Sequence, residues 1–140
     1  MPMPDDLSRC LVLNTIAAAR TLLRRFDGQL KPFGVTVQQF SLLAAVRSHP
    51  GAPVMTLAQH VLMDRTSLTR NLDLLEHKGL VQRAAGGTRN ARICELTAKG
   101  DATLEQLLPE WQRIGAAFNA DIPQEDADVY RRVIGRLTRE

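Results

Sequence analysis

The sequence predicts a mainly α-helical chain with one small β-hairpin, and three observations lead there. Apolar residues recur at three- and four-residue spacings over long stretches of the 140 residues, the period of amphipathic helices. Helix-opening signals stand ahead of several of these runs: Thr36-x-x-Gln39, Thr56-x-x-Gln59 and Asp64, residue types whose side-chain oxygens accept from the free N–H groups of a first turn. One interval only, Leu80 to Leu96, breaks the helical period, and it is divided by Gly86-Gly87.

Each element follows in order. Val12, Ile16, Ala19, Leu23, Phe26 and Leu30 make a continuous seam on a long first helix, and Leu7, Cys10, Leu11 and Leu22 widen it beyond what one packing surface needs. Lys31-Pro32-Phe33-Gly34 breaks that helix, Thr36-x-x-Gln39 opens the next, and His49-Pro50-Gly51 ends it. The Thr56 box opens a third helix, and Asp64 caps a fourth a few residues after it. At about 100° per residue, Leu68, Leu72 and Leu75 fall on one narrow face of that fourth helix, while Thr66, Thr69, Arg70 and Asp73 point the opposite way. Lys78-Gly79 stops it; Leu80 to Ala85 forms a strand, Gly86-Gly87 turns, and Ala91 to Leu96 returns. Leu104, Leu107, Trp111, Ile114 and Phe118 stripe a further helix bent near Pro109, and Asp121-Ile122-Pro123 separates it from a last one bearing Val129, Tyr130, Val133, Ile134 and Leu137. The layout is a winged helix-turn-helix flanked by N- and C-terminal helices, an α+β arrangement whose ordinary use is to hold duplex DNA.

The residue types on the fourth helix suit that use. Arg65, Thr66, Ser67, Thr69 and Arg70 occupy its first two turns, where arginine can fork to a guanine edge and free N–H groups attract phosphate. Lys78 joins them at the other end of the helix. Arg89, Asn90 and Arg92 cluster beside the glycine turn, and arginine at a projecting tip suits the strongly negative minor groove. A solvated helix with local ion pairs, such as Arg70 with Asp73, would be the reading for an isolated segment; the capped helix before it and the hairpin after it decide for DNA.

Gln59 to Gly100 resembles the MarR (multiple antibiotic resistance regulator) family. The resemblance is carried by Asp64-Arg65-Thr66-Ser67-Leu68-Thr69-Arg70-Asn71-Leu72, by Leu75-Glu76-His77-Lys78-Gly79-Leu80-Val81 with Arg83, and by Leu96-Thr97-Ala98-Lys99-Gly100. The last run is similar to the family's Leu-Thr-x-x-Gly, which implies that Thr97 caps the next helix. Gln39-Phe40-x-x-Leu43 fits the family's second helix. One departure stands in the wing, where Thr88-Arg89-Asn90 replaces the family's Asp-x-Arg and its aspartate. The resemblance implies a homodimer built from terminal helices, a pseudo-palindromic double-stranded operator, and release by a small-molecule effector. Some relatives sense peroxide through a first-helix cysteine, the position of Cys10, but those sensors place tyrosines near the thiol and this chain has only Tyr130. A small buried hydrophobe is the favoured reading of Cys10, with redox sensing as the alternative.

Composition agrees. The chain has one domain's length: residues 1–6 are expected to be disordered and 7–140 to form a single domain, with the winged helix at about 36–96 and dimerisation helices at about 7–31 and 97–139. Residues 1–55 hold six Lys/Arg against three Asp/Glu, residues 56–100 seven against four, and residues 101–140 five against eight. A basic motif region with acidic C-terminal helices fits one side turned to phosphate and one turned away. Cys10 and Cys94 have no Cys-x-x-Cys spacing, and His49, His60 and His77 make no metal-spaced set. No nucleotide loop or nucleophilic triad is recognisable, so neither an enzyme nor a cofactor is expected. Apolar stretches fall short of a membrane span and no signal peptide is visible, so a cytoplasmic protein is expected. A winged helix used only for protein–protein assembly would show an apolar outer face on the fourth helix, unlike the hydroxyls and arginines found there.

Overall fold

The computed structural model describes residues 7–85 and 92–139, and among them the chain is mainly helical with one antiparallel hairpin. The helices are α1 (Leu11–Leu30), α2 (Val37–Ser48), α3 (Val54–Val61), α4 (Arg65–His77), α5 (Ala98–Asn119) and α6 (Gln124–Leu137); the strands are β1 (Val81–Ala85) and β2 (Arg92–Leu96). The residues group into two compact units, one ending at Gln38 and one beginning at Gln39. The expected disorder of residues 1–6 concerns positions outside the described residues.

In the first unit a short 3-10 turn, Leu7–Arg9, leads into α1, whose N-cap is Cys10, and a second one, Lys31–Phe33, follows it. Pro32 sits in the first turn of that second one and Gly34 closes it at φ +76, a left-handed conformation that glycine adopts without a Cβ penalty. The N–H of Val37, first in α2, donates to Asp27 Oδ1 at 2.7 Å, so a carboxylate ten residues upstream satisfies one of the donors that a helix start leaves open. Phe26 and Leu30 are buried, whereas Leu11, Val12, Leu13 and Ile16 are exposed.

The second unit holds the winged helix. Its core contains Leu42, Leu43, Leu57, Leu68, Leu72, Leu75, Leu104 and Leu107, all essentially inaccessible. β1 and β2 pair antiparallel with Val81 opposite Leu96 and Arg83 opposite Cys94. Pro53 forms an isolated bridge with Ile93. That bridge corrects the Thr56 expectation: α3 begins at Val54 with Pro53 as N-cap, and Thr56 lies inside the helix. Pro53, with no N–H to donate and its φ fixed, stands immediately before the first turn, and its bridge to Ile93 precedes the helix. The turn into α4 passes through Leu62 at φ +53, the one non-glycine residue with positive φ among the described residues.

The hairpin is fastened to α5 at its base. Thr97 Oγ1 accepts from the Gly100 N–H at 3.0 Å, which caps α5, and the same hydroxyl donates to the Gly79 carbonyl at 2.6 Å. The Thr97 N–H donates to the Leu80 carbonyl at 3.1 Å, and Lys99 Nζ to the Lys78 carbonyl at 2.9 Å. Gly100 is required there, because a Cβ would stand 1.9 Å from the Leu80 carbonyl oxygen. The Leu-Thr-x-x-Gly run thus has a physical meaning: one helix N-terminus docked flush on the backbone of the preceding turn. α5 then runs uninterrupted through Pro109. On α6, Val129, Tyr130, Val133 and Leu137 are exposed.

Candidate nucleic-acid interface

α4 owes its start to Asp64. Oδ1 of its carboxylate accepts from the Ser67 N–H at 2.8 Å and Oδ2 from the Ser67 hydroxyl at 2.8 Å. These bonds, the backbone one foremost, hold the Asp64 carboxyl below its ordinary range. A charged cap at a helix N-terminus also meets the positive end of the helix dipole.

Burial along α4 follows the predicted wheel. Leu68, Asn71, Leu72 and Leu75 are buried, and Asn71 Nδ2 donates to the Ser67 carbonyl at 2.8 Å. Thr66, Thr69 and Arg70 are exposed on the opposite side, and Arg65 is exposed on the flank of the first turn. Four of the expected contact residues are therefore solvent-facing in the N-terminal half of the helix, with donors and a guanidinium pair free to face a groove edge.

The other expected residues separate from this group. Ser67 is half-buried and its hydroxyl is engaged by Asp64. Lys78 is half-buried, with Nζ donating to Oε1 of the buried Gln39 at 3.0 Å; it ties the end of α4 to α2. Arg92 is exposed at the start of β2, opposite Ala85. Arg89 and Asn90 lie outside the described residues.

Sequence reasoning missed an ion network beside the interface. Arg83 Nη2 lies 2.5 Å from Asp73 Oδ1, and its Nε lies 3.2 Å from Glu76 Oε2. The backbone N–H of Arg83 donates to the same Glu76 oxygen at 3.1 Å. Asp73 thus pairs with a residue on β1, across the Gly79 turn. Arg83 lowers the Glu76 carboxyl below its ordinary range, and Glu76 in turn raises the guanidinium. A signal was present: acids three apart near the end of a helix, then a glycine turn, then an arginine two residues into the next strand.

The remaining candidates are quickly placed. Cys94 is buried on β2, and burial pushes its thiol up to about 11, which makes it inert packing. Cys10 is half-buried at the N-cap of α1. Phe40 and Trp111 pack with ring centroids 4.9 Å apart, Phe40 within the core. His49 and His60 stack with centroids 3.6 Å apart, and no group of three or more potential metal ligands occurs among the described residues. No helix among them is long and apolar enough to cross a membrane.

Comparison with known proteins places this geometry. A family model described as the MarR family matches residues 33–89. The transcriptional regulator MosR of M. tuberculosis, solved in complex with DNA, is 36% identical, with 92% of this chain and 93% of that one covered at a TM-score of 0.82. The transcriptional repressor CouR, solved bound to a 23-mer DNA duplex, superposes over 99% of both chains at a TM-score of 0.83, with 24% identity. The HTH-type transcriptional regulator YwoH of Bacillus subtilis (strain 168) is 23% identical over 124 residues, covering 89% of this chain and 90% of its own.

Proposed function

Because the chain belongs to the MarR family of winged helix-turn-helix transcriptional regulators, we propose that it is a homodimeric, sequence-specific DNA-binding repressor of the cytoplasm, released from its operator by a small molecule. The observation that carries the DNA reading is the exposed group Thr66, Thr69 and Arg70 opposite a fully buried leucine seam on α4, with Arg65 exposed beside it in the first turn. Arginines there read base edges in the major groove, and the threonine hydroxyls with the helix N-terminus take phosphate or base acceptors. Arg92, with Arg89 and Asn90 of the wing, supplies the adjacent contacts; Ser67 and Lys78 act through the cap and through Gln39, and so position the helix. MosR, the relative at 36% identity, was solved on DNA, which supports the same use of this surface.

The dimer is supported by the apolar residues that each terminal helix leaves exposed: Leu11, Val12 and Ile16 on α1, and Val129, Tyr130, Val133 and Leu137 on α6. Side chains of this kind stabilise by roughly 1.5–3 kcal/mol each when fully covered, and a twofold pairing covers them while presenting two recognition helices to half-sites one turn apart. Small-molecule release follows from the family. It is preferred to oxidation at Cys10 because the peroxide sensors place several tyrosines near the thiol and this chain has a single one, Tyr130.

Light scattering combined with fluorescence anisotropy on the DNA upstream of this gene tests the proposal. A dimer that binds this duplex, more tightly than a scrambled one and with steep salt dependence, is the expected result. A stable monomer that binds DNA would sink the dimer, and no preference over the scrambled duplex would sink the operator.

A further inference from the structure

The outward face of α4 has an electrostatic difficulty. Arg65 and Arg70 bring two positive charges to it, and Asp73 and Glu76 bring two negative ones, so the helix itself sums to zero on the side that would meet phosphate. Asp73 stands on the same side as Thr66, Thr69 and Arg70, one turn beyond Thr69. Both acids also lie in the last two turns of α4, where the helix dipole disfavours negative charge.

Arg83 answers both problems. Its side chain is only 17% exposed, too covered to serve as a phosphate contact, and its guanidinium reaches Asp73 with Nη2 and Glu76 with Nε. Its own N–H, held by Glu76, fixes the start of β1 against α4. Resting on the DNA reading of that face, we propose that Arg83 is a positioning residue for DNA binding: it masks the Asp73 and Glu76 carboxylates from phosphate and sets the hairpin against the recognition helix. The net charge of the face rises from zero to one positive with Arg83 in place. This masking is supplied from β1, whereas the wing segment Thr88-Arg89-Asn90 contains no acid.

The test separates masking from simple packing by removing the charge of the two acids without restoring the contact. Operator anisotropy across a salt series is measured for the parent, for Arg83→Met, and for Arg83→Met combined with Asp73→Asn and Glu76→Gln, with thermal melts run alongside. Arg83→Met should weaken duplex binding on the order of tenfold near physiological salt and lower the salt slope by about one unit. The triple variant leaves that face two positive, one more than the parent, so it should recover at least the parent slope and most of the affinity, although it lacks the ion pairs. Parent-like binding by Arg83→Met, or a triple variant as weak as Arg83→Met, would overturn the masking role. If Arg83→Met does not melt cooperatively, Arg83→Lys carries the test, since it keeps the charge: a retained slope supports masking and a lost slope overturns it. The underlying DNA reading fails differently, through a parent without salt-dependent duplex binding or an Arg70→Ala variant indistinguishable from it.

Discussion

Gly100→Ala should be among the most damaging single-methyl additions to this chain. The new Cβ would lie 1.9 Å from the Leu80 carbonyl oxygen, 2.9 Å from its carbon and 3.2 Å from the Leu80 Cα, all backbone atoms. No rotamer change relieves such a contact; α5 must retreat by about 1.1 Å to reach even the 3.0 Å that real Cβ atoms respect. That retreat stretches three hydrogen bonds at the seam, Thr97 N–H to Leu80, Thr97 hydroxyl to Gly79 and Lys99 to Lys78, together worth about 1.5–4.5 kcal/mol. It also disturbs Leu104 and Leu107, buried further along α5, at a cost of about 1–3 kcal/mol for forced repacking. Against this, alanine gains about 1 kcal/mol of helix propensity over glycine. The net is a loss of about 4 kcal/mol, equivalent to on the order of 10–15 °C in melting temperature for a chain of this size. Circular-dichroism melts and urea titrations at one fixed protein concentration measure it, since dimerisation makes the midpoint concentration-dependent. Gly115→Ala in the same helix is the matched control: nothing lies within 4 Å of its Cβ position, so it should gain up to about 1 kcal/mol. A Gly100→Ala protein within 1 kcal/mol of the parent would refute the close-approach argument.

Three other outcomes are expected. Arg70→Ala, on the exposed face of α4, should cost on the order of 1–3 kcal/mol on the operator and relax base preference at one position, read by anisotropy on a panel of substituted duplexes. The Asp64 carboxyl is held low by Ser67, so its stabilising effect is complete above the ordinary carboxylate range, fades as pH falls through that range and is gone below the depressed native value; Asp64→Asn, which keeps a capping oxygen, should flatten the acid limb of stability between about pH 5 and pH 2 in pH-dependent urea titrations. Cys10→Ser should leave operator binding and its response to organic peroxide unchanged, and a titration in which only the Cys10 protein lets go of DNA would make oxidation the signal.

What could be read in advance was what neighbouring residues decide. The Asp64 cap, the Leu68–Leu72–Leu75 seam and the exposed Arg65, Thr66, Thr69 and Arg70 all follow from spacing within one helix, and the structure reproduces them. The start of α3 differs from the Thr56-x-x-Gln59 expectation because that run has the form of a capping box, while the helix starts after Pro53, which also bridges Ile93 forty residues later. The bond from Lys78, one of the expected DNA contacts, to the Gln39 carboxamide could not be read in advance, because Gln39 is 39 residues distant in sequence and buried. Arg83 went without a role because its partners precede it by seven and ten residues across a turn, a separation at which neither helical nor strand periodicity predicts contact.

The flush seat of Gly100 on Leu80 turns α5 into a lever with its fulcrum at the foot of the hairpin. Twenty-two residues at 1.5 Å each make an arm of about 33 Å, so a swing of about 5° displaces the far end by about 3 Å. Run in reverse, a displacement of a few ångströms at the Asn119 end reaches the Leu80 carbonyl as a torque of small angle. At the point of contact the Gly100 backbone meets the Leu80 carbonyl directly, with the Thr97 hydroxyl and Lys99 ammonium bonded on either side. A backbone-on-backbone joint of this kind leaves little room for the start of α5 to move without moving the base of the hairpin.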